Sequence, residues 1–127
     1  MKNIVLDMQS VLYAQALRRV LTQELEECQV TLSPRPEDTA AQCRLLRPAA
    51  LLMEVNGFEP WTPEKRLALW AEVKRAVPGC KSLLMVDDGA SPALLEQVKH
   101  AKQTGAVDAF LFTSATEGYL AAVLDSL

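Results

Sequence analysis

Three acidic positions carry most of the chemistry open to this sequence. Glu54 closes the apolar run Ala49-Ala50-Leu51-Leu52-Met53, Asp7 follows Ile4-Val5-Leu6, and Asp87, with Asp88 behind it, follows Leu83-Leu84-Met85-Val86. An acid that ends a buried apolar run stands at the carboxyl end of a strand, and in open α/β sheets ligands gather outside those ends. Three carboxylates brought together repel one another, so that one takes up a proton or the group recruits a hard cation such as magnesium or calcium. The plainer reading has Asp7 and Glu54 accepting backbone N–H bonds at loop starts and otherwise solvated. The remaining chemistry is thin. Cys28, Cys43 and Cys80 are an odd set without CxxC spacing, and with a single histidine, His100, they form no zinc constellation. They read as reduced, mostly buried cysteines of a cytosolic protein.

The elements that must position these acids alternate along the chain. Asn3 to Leu6 reads as a strand, and Gln9 to Gln23 as a helix with an apolar stripe at Leu12, Ala16, Leu17, Val20 and Leu21. Cys28 to Leu32 is a second strand, closed by Ser33-Pro34-Arg35-Pro36, and Glu37 to Leu46 a short helix with Ala40, Ala41, Cys43 and Leu45 available for burial. The run at 49–57, bounded by Pro48 and Gly57, has the continuous apolar character of a strand buried on both faces. Thr62-Pro63-Glu64 starts a helix to about Ala76 that buries Leu67, Trp70, Val73 and Val77, and Pro78-Gly79 stops it. Ser82 to Val86 is the fourth strand. Ser91-Pro92 caps a helix to about Thr104, with Leu94, Leu95, Val98 and Ala101 inward and Gly105 as its stop. Val107 to Phe112 and Glu117 to Leu127 complete five strand–helix pairs. This alternation implies βαβ crossovers and a doubly wound parallel sheet. In the flavodoxin-like order 2-1-3-4-5 the crevice opens between strands one and three, with Asp7 and Glu54 on either side of it.

Composition limits the function classes. The 127 residues, half of them hydrophobic, suffice for one domain, here 1–127. The net charge of −3, with both signs interspersed, leaves no basic footprint for nucleic acid. Met1 to Asp7 is too short and too weakly charged for a signal peptide, and no stretch is long and apolar enough for a membrane span. Phe58 and Trp61, in the loop after the third strand, either cover the crevice as a partner-binding lid or pack onto the core.

Taken together, the acid after strand one, the Pro48-to-Val55 passage, the Pro78-Gly79 before strand four and the Gly105-Ala106 … Phe110-Leu111 passage make the whole chain resemble the CheY-like receiver domains of bacterial two-component response regulators. The resemblance implies a flavodoxin-like (βα)5 fold and a cytoplasmic, non-enzymatic regulator. In such domains the third strand ends in the aspartate that accepts phosphate from a histidine kinase. Two acids after strand one bind magnesium, a Ser or Thr ends strand four, and a Lys ends strand five.

Carried over position by position, the pattern is depleted. Glu54 stands at the phosphoacceptor, Asp7 is followed by Met8, Val86 falls on the switch hydroxyl, and Thr113 on the lysine, with Phe112 or Ser114 there after a one-residue shift. Phe110 or Phe112 resembles the switch aromatic. Glutamate extends the carboxylate by one methylene, roughly 1.5 Å, and misplacement of that order can cost about a hundredfold in rate. Met8 removes a hard oxygen ligand, and nothing replaces the lysine that neutralises developing charge.

The expected function is therefore that of a pseudo-receiver, a phosphorylation-independent regulatory and protein-interaction domain forming the N-terminal part of a transcriptional regulator. It would need no cofactor and bind magnesium weakly at most. Its partner would be another protein or its own output domain, with no direct contact to nucleic acid or membrane. By resemblance, the face of helix four, strand five and helix five is a self-association surface, with Lys99, Lys102, Asp108, Tyr119 and Asp125 supplying a homodimer contact. The alternative is an active phosphoacceptor that uses the displaced acids Glu54 and Asp87 with magnesium. A small-ligand sensor is a third option, although Met8-Gln9-Ser10 lacks the glycines of a phosphate-cradling loop.

Overall fold

The structure is a computed structural model and describes residues 2–127. Five strands, β1 (Lys2–Asp7), β2 (Cys28–Leu32), β3 (Ala50–Val55), β4 (Lys81–Val86) and β5 (Ala109–Phe112), form one parallel sheet in the order β2-β1-β3-β4-β5. Five α-helices alternate with them: α1 (Val11–Glu24), α2 (Thr39–Leu46), α3 (Pro63–Ala76), α4 (Pro92–Gln103) and α5 (Glu117–Ser126). The flavodoxin-like architecture expected from the sequence is the one observed.

Strand alternation divides the core in two. Ile4, Leu6, Leu52, Leu83, Met85 and Leu111 face one side and pack under α1 and α5 with Leu17, Leu21, Leu120 and Leu124. Val5, Leu51, Met53, Val55, Leu84 and Val86 face the other, under Cys43 of α2, Trp70 and Val73 of α3, and Val98 and Ala101 of α4. Because successive side chains in a strand point to opposite faces, the apolar runs of β3 and β4 must be continuous to fill both layers.

Several local expectations are corrected. In α1 the buried stripe is Ala14, Leu17 and Leu21, so Leu12 and Ala16 point outward and Leu12 is 79% exposed. In α2, Thr39, Ala40 and Cys43 are buried, and Leu45 is 81% exposed. The segment Pro36–Asp38 is a single 3-10 turn ahead of α2 and not its first turn. β5 begins at Ala109, two residues later than expected, because the Val107 N–H bonds the Ala101 carbonyl and the Asp108 N–H bonds the Ser82 hydroxyl. Gly105, at φ +80°, takes the left-handed conformation that ends α4.

The thiols lie where their chemistry is suppressed. Cys43 and Cys80 are buried, and burial pushes them up to about 11 and about 12. Cys28 is half-buried and is raised by burial against the lowering effect of Lys2. Since the thiolate is the reactive species, a thiol reagent at pH 8 should leave Cys43 and Cys80 unlabelled in the native protein and reach all three cysteines in urea. Intact mass after timed labelling checks this, and rapid native labelling of Cys80 would contradict the burial described.

Candidate functional site

The carboxyl ends of the strands hold two separate polar clusters. Asp7 lies on the face of β1 that carries Val5, so its fully buried side chain turns toward α2 and α3. Arg66, one turn into α3, reaches across the end of β3 to meet it. Its Nη1 donates to Asp7 Oδ2 at 2.8 Å, and its Nη2 donates to Asp7 Oδ1 at 3.1 Å and to the Asp7 carbonyl at 3.0 Å. Its Nε donates to the Glu54 carbonyl at 2.7 Å. The Thr39 hydroxyl donates to Asp7 Oδ2 at 2.7 Å and lies 2.7 Å from the Ser33 hydroxyl, which anchors the loop after β2. Arg66 is 1% exposed. A buried pair of this kind persists only when its geometry is good and its remaining polar atoms are bonded, and both conditions are met.

Glu54 belongs to the other face. It follows Leu52 on the α1 side of β3, and its Oε1 accepts the N–H groups of Gln9 at 3.0 Å and Ser10 at 3.4 Å. Asn56 Nδ2 donates to Glu54 Oε2 at 3.4 Å and to Gln9 Oε1 at 2.7 Å, and Asn56 Oδ1 accepts the Phe58 N–H at 2.8 Å. The loop before α1 is thus tied to the loop after β3. The expectation that Glu54 caps a loop start holds. The expectation that Asp7 is solvated does not, and Asp7 and Glu54 do not flank a shared crevice: strand alternation sends them to opposite sides of the sheet.

Asp87 and Thr113 complete the Glu54 side. Ser10, Tyr13, Glu54, Val55, Asn56, Asp87 and Thr113 line a cavity of about 280 Å³. Asp87 Oδ2 accepts the Gly89 N–H at 2.8 Å, and the Thr113 hydroxyl approaches Asp87 Oδ1 at 3.5 Å. Val86, assigned from the sequence to the switch position, is fully buried in the core, so the side chain that faces this cavity from the end of β4 is that of Asp87. Tyr13 is raised above the usual tyrosine range, first by burial and then by the charges of Glu54 and Asp88. Phe110 and Phe112 stack edge to face at 6.1 Å, with Phe112 at the surface.

The donor set does not fit the magnesium that the resemblance implies. Both Asp7 oxygens are occupied by Arg66 and Thr39, and the Met8 side chain is buried in the core. Among the described residues no group of three or more His, Cys, Asp or Glu side chains is placed to hold a metal ion. Of the proposed self-association residues, Lys99, Lys102, Tyr119 and Asp125 are exposed. Asp108 is half-buried, and its carboxylate accepts from the Ser82 N–H at 2.8 Å and the Ser82 hydroxyl at 3.2 Å, so it is withdrawn from that contact.

Arg66 was missed by the sequence reading, although a signal existed. It lies four residues before Trp70, seven before Val73 and eleven before Val77, on the buried stripe of α3. A cation on an apolar stripe needs a buried anion, and Asp7 supplies it.

The loops at this end are acidic. Glu37, Asp38, Glu59, Asp87 and Asp88 join Glu54 there, and the basic residue in the same loops, Arg35, is paired with Asp38 at 2.9 Å. A larger cavity of about 700 Å³ lies at the opposite, amino-terminal end of the strands, lined by Lys2, Leu25, Cys28, Lys81 and Leu127 among others.

No family model matches the chain, and no curated protein matches it. Solved structures do match, and they include CheY-like receiver domains. A DNA-binding response regulator of the LuxR family from Staphylococcus aureus aligns with TM-score 0.75 at 12% identity, over 99% of this chain and 98% of that one. The chemotaxis protein CheY4 of Vibrio cholerae aligns with TM-score 0.75 at 16% identity over the same shares. A putative pilus assembly protein (cpaE) of Burkholderia thailandensis aligns with TM-score 0.70 at 20% identity, over 99% of this chain and 97% of that one. These likenesses define the class of fold. No helix among the described residues is long and apolar enough to cross a membrane.

Removing one partner of the buried pair leaves an uncompensated charge, so Arg66→Met should destabilise the protein by about 3–5 kcal/mol. The pair Arg44–Glu72, exposed at 3.3 Å, is the contrast: Arg44→Met should cost less than about 1 kcal/mol. Urea unfolding of the two variants checks this, with Asp7→Leu/Arg66→Met expected to recover much of the loss.

Proposed function

We propose that this chain is a receiver-like regulatory and protein-interaction domain that works without phosphorylation and without a bound cofactor, as the N-terminal part of a transcriptional regulator. The observation that carries the proposal is the Arg66 guanidinium on Asp7. In a phosphoryl-accepting site a divalent ion and a lysine neutralise the incoming charge while an unencumbered carboxylate attacks in line. Here the buried acid is already neutralised by an internal cation, and Glu54 is engaged in holding the loop before α1. Asp7 is thereby taken up by internal partners, and Glu54 is tied to the loop before α1.

The alternative, an active phosphoacceptor using Glu54 and Asp87, would have to work from the second oxygen of each acid, since Glu54 Oε1 holds the Gln9 and Ser10 N–H groups and Asp87 Oδ2 that of Gly89. The regulatory output rests on likeness alone: the solved S. aureus chain, covered to 98%, is described as a DNA-binding response regulator. The higher identity to the B. thailandensis protein favours a second output, in pilus assembly. Self-association through the face of α4, β5 and α5 remains part of the proposal, with exposed Tyr119 and Phe112 as apolar contacts and Lys99, Lys102 and Asp125 as charges of both signs.

Acetyl phosphate with magnesium should leave the intact mass unchanged, and calorimetric titration should give magnesium affinity no tighter than about millimolar. A stoichiometric, hydroxylamine-labile adduct would overturn the proposal. For the self-association face, Tyr119→Asp should convert a dimer to monomer in sedimentation velocity. A wild-type protein already monomeric at about 100 micromolar, equivalent to weaker than about −5.5 kcal/mol, would remove that contact.

A further inference from the structure

We propose that the cavity of about 700 Å³ at the amino-terminal end of the strands binds a small zwitterion with an apolar body, a peptide of about three residues with free termini. The cavity opens between the end of α1, the end of α5 and the first residues of the strands, and its size is that of a small-molecule site. Ala50, placed between Ile4 of β1 and Lys81 of β4 in the sheet, has only a methyl group to fill the space under the two helix ends. Leu25, Leu124 and Leu127 supply the apolar wall. Lys2 and Lys81 stand two residues before Ile4 and Leu83, so alternation puts them on the same face of the sheet, toward α1 and α5. β3 separates their strands, which places the two backbones about 10 Å apart and lets the long side chains meet on one carboxylate.

The helix side of the cavity carries the opposite charge, in Glu24, Glu26, Glu27 and Asp125. Helix stability does not account for these acids. The last turns of α2, α3 and α4 hold Arg44, Lys74, Arg75, His100 and Lys102, as the negative end of a helix dipole favours, but those of α1 and α5 hold no base, and Glu24 and Asp125 stand against the dipole. Glu27 takes φ +51°, a left-handed conformation that favours glycine, and its carbonyl accepts the Lys2 N–H at 2.9 Å, which fixes the acidic turn to β1. Among the described residues, none of these lysines and acids forms an ion pair. Both signs in one partly apolar cavity select the ligand. A simple anion meets the acids and a simple cation meets the lysines, whereas a molecule with a carboxylate at one end and an ammonium group at the other is matched at both.

The probe is the tripeptide alanyl-leucyl-leucine, with its N-acetyl form and its carboxyl-terminal amide as counterparts. Each is titrated into the full chain and followed by amide chemical shifts and by timed labelling of Cys28, the half-buried thiol that lines the cavity. The free peptide should saturate below about 1 mM, move resonances at Lys2, Leu25 to Cys28, Ala50 and Lys81, and slow the labelling of Cys28 in step with occupancy. Each blocked form should lose at least about tenfold in affinity, because the charged side chains it fails to meet go unpaired. Lys81→Gln should weaken the free peptide and leave the amide unchanged, and Glu26→Gln/Glu27→Gln should weaken the free peptide and leave the acetylated form unchanged. Lys102→Gln, in the last turn of α4 outside the cavity, should change nothing, and all these side chains are exposed, so the variants should melt with the wild type. Equal affinity for the three peptides, dependence on one terminus only, shifts confined to another face, Cys28 labelling that ignores the peptide, equal loss with Lys102→Gln, or no saturation below about 1 mM would overturn the proposal.

Discussion

The contact between Asp7 and Arg66 is the constraint on which the functional end of this fold depends. It joins the last residue of β1 to the second turn of α3 and, through the Glu54 carbonyl, to the end of β3. Thr39 and Ser33 extend it to the start of α2 and the loop after β2. One guanidinium therefore fixes the relative positions of three strand ends and two helices. Arginine suits the task because its planar fork meets a carboxylate through two donors while a third remains for a carbonyl, and it stays charged when buried. Apolar groups of similar volume could fill the same space at comparable stability, so what the pair contributes is specificity of arrangement.

The opposite face of the sheet holds a softer construction. Glu54 is half-buried and its bonds to Gln9, Ser10 and Asn56 range from 3.0 to 3.4 Å. Its Oε1 reaches backbone N–H groups near the amino terminus of α1, where the helix dipole favours an anion. Asp87 is occupied in the same way by Gly89. The two acids hold loops in place, and Phe58 in one of these loops is exposed, as are Val11 and Leu12 in the first turn of α1.

A consequence is that acidic charge gathers at one end of the molecule. With Asp7 neutralised internally, the acids left at the carboxyl ends of the strands outnumber the bases there, of which Arg35 is paired with Asp38. In an effective dielectric near that of the surface such a patch acts over about a Debye length, enough to orient an approaching cationic surface and too weak to bind one by itself.

The periodicity of apolar runs, the proline and glycine stops and the alternation of strand and helix determined the fold, because these signals depend only on neighbours along the chain and on burying two layers at once. That Glu54, Asp7 and Asp87 lie at strand ends was legible for the same reason. What tertiary structure decided was the direction in which each side chain points and what meets it. Asp7 and Glu54 part company because β1 and β3 carry them on opposite faces, and Leu12 points outward because the buried stripe of α1 runs through Ala14, Leu17 and Leu21. Val86 gives way to Asp87 at the cavity by the same alternation. Arg66 stands apart, since its partner lies 59 positions away along the chain. A buried ion pair is formed by two elements folding together, and no local pattern around either residue specifies the other.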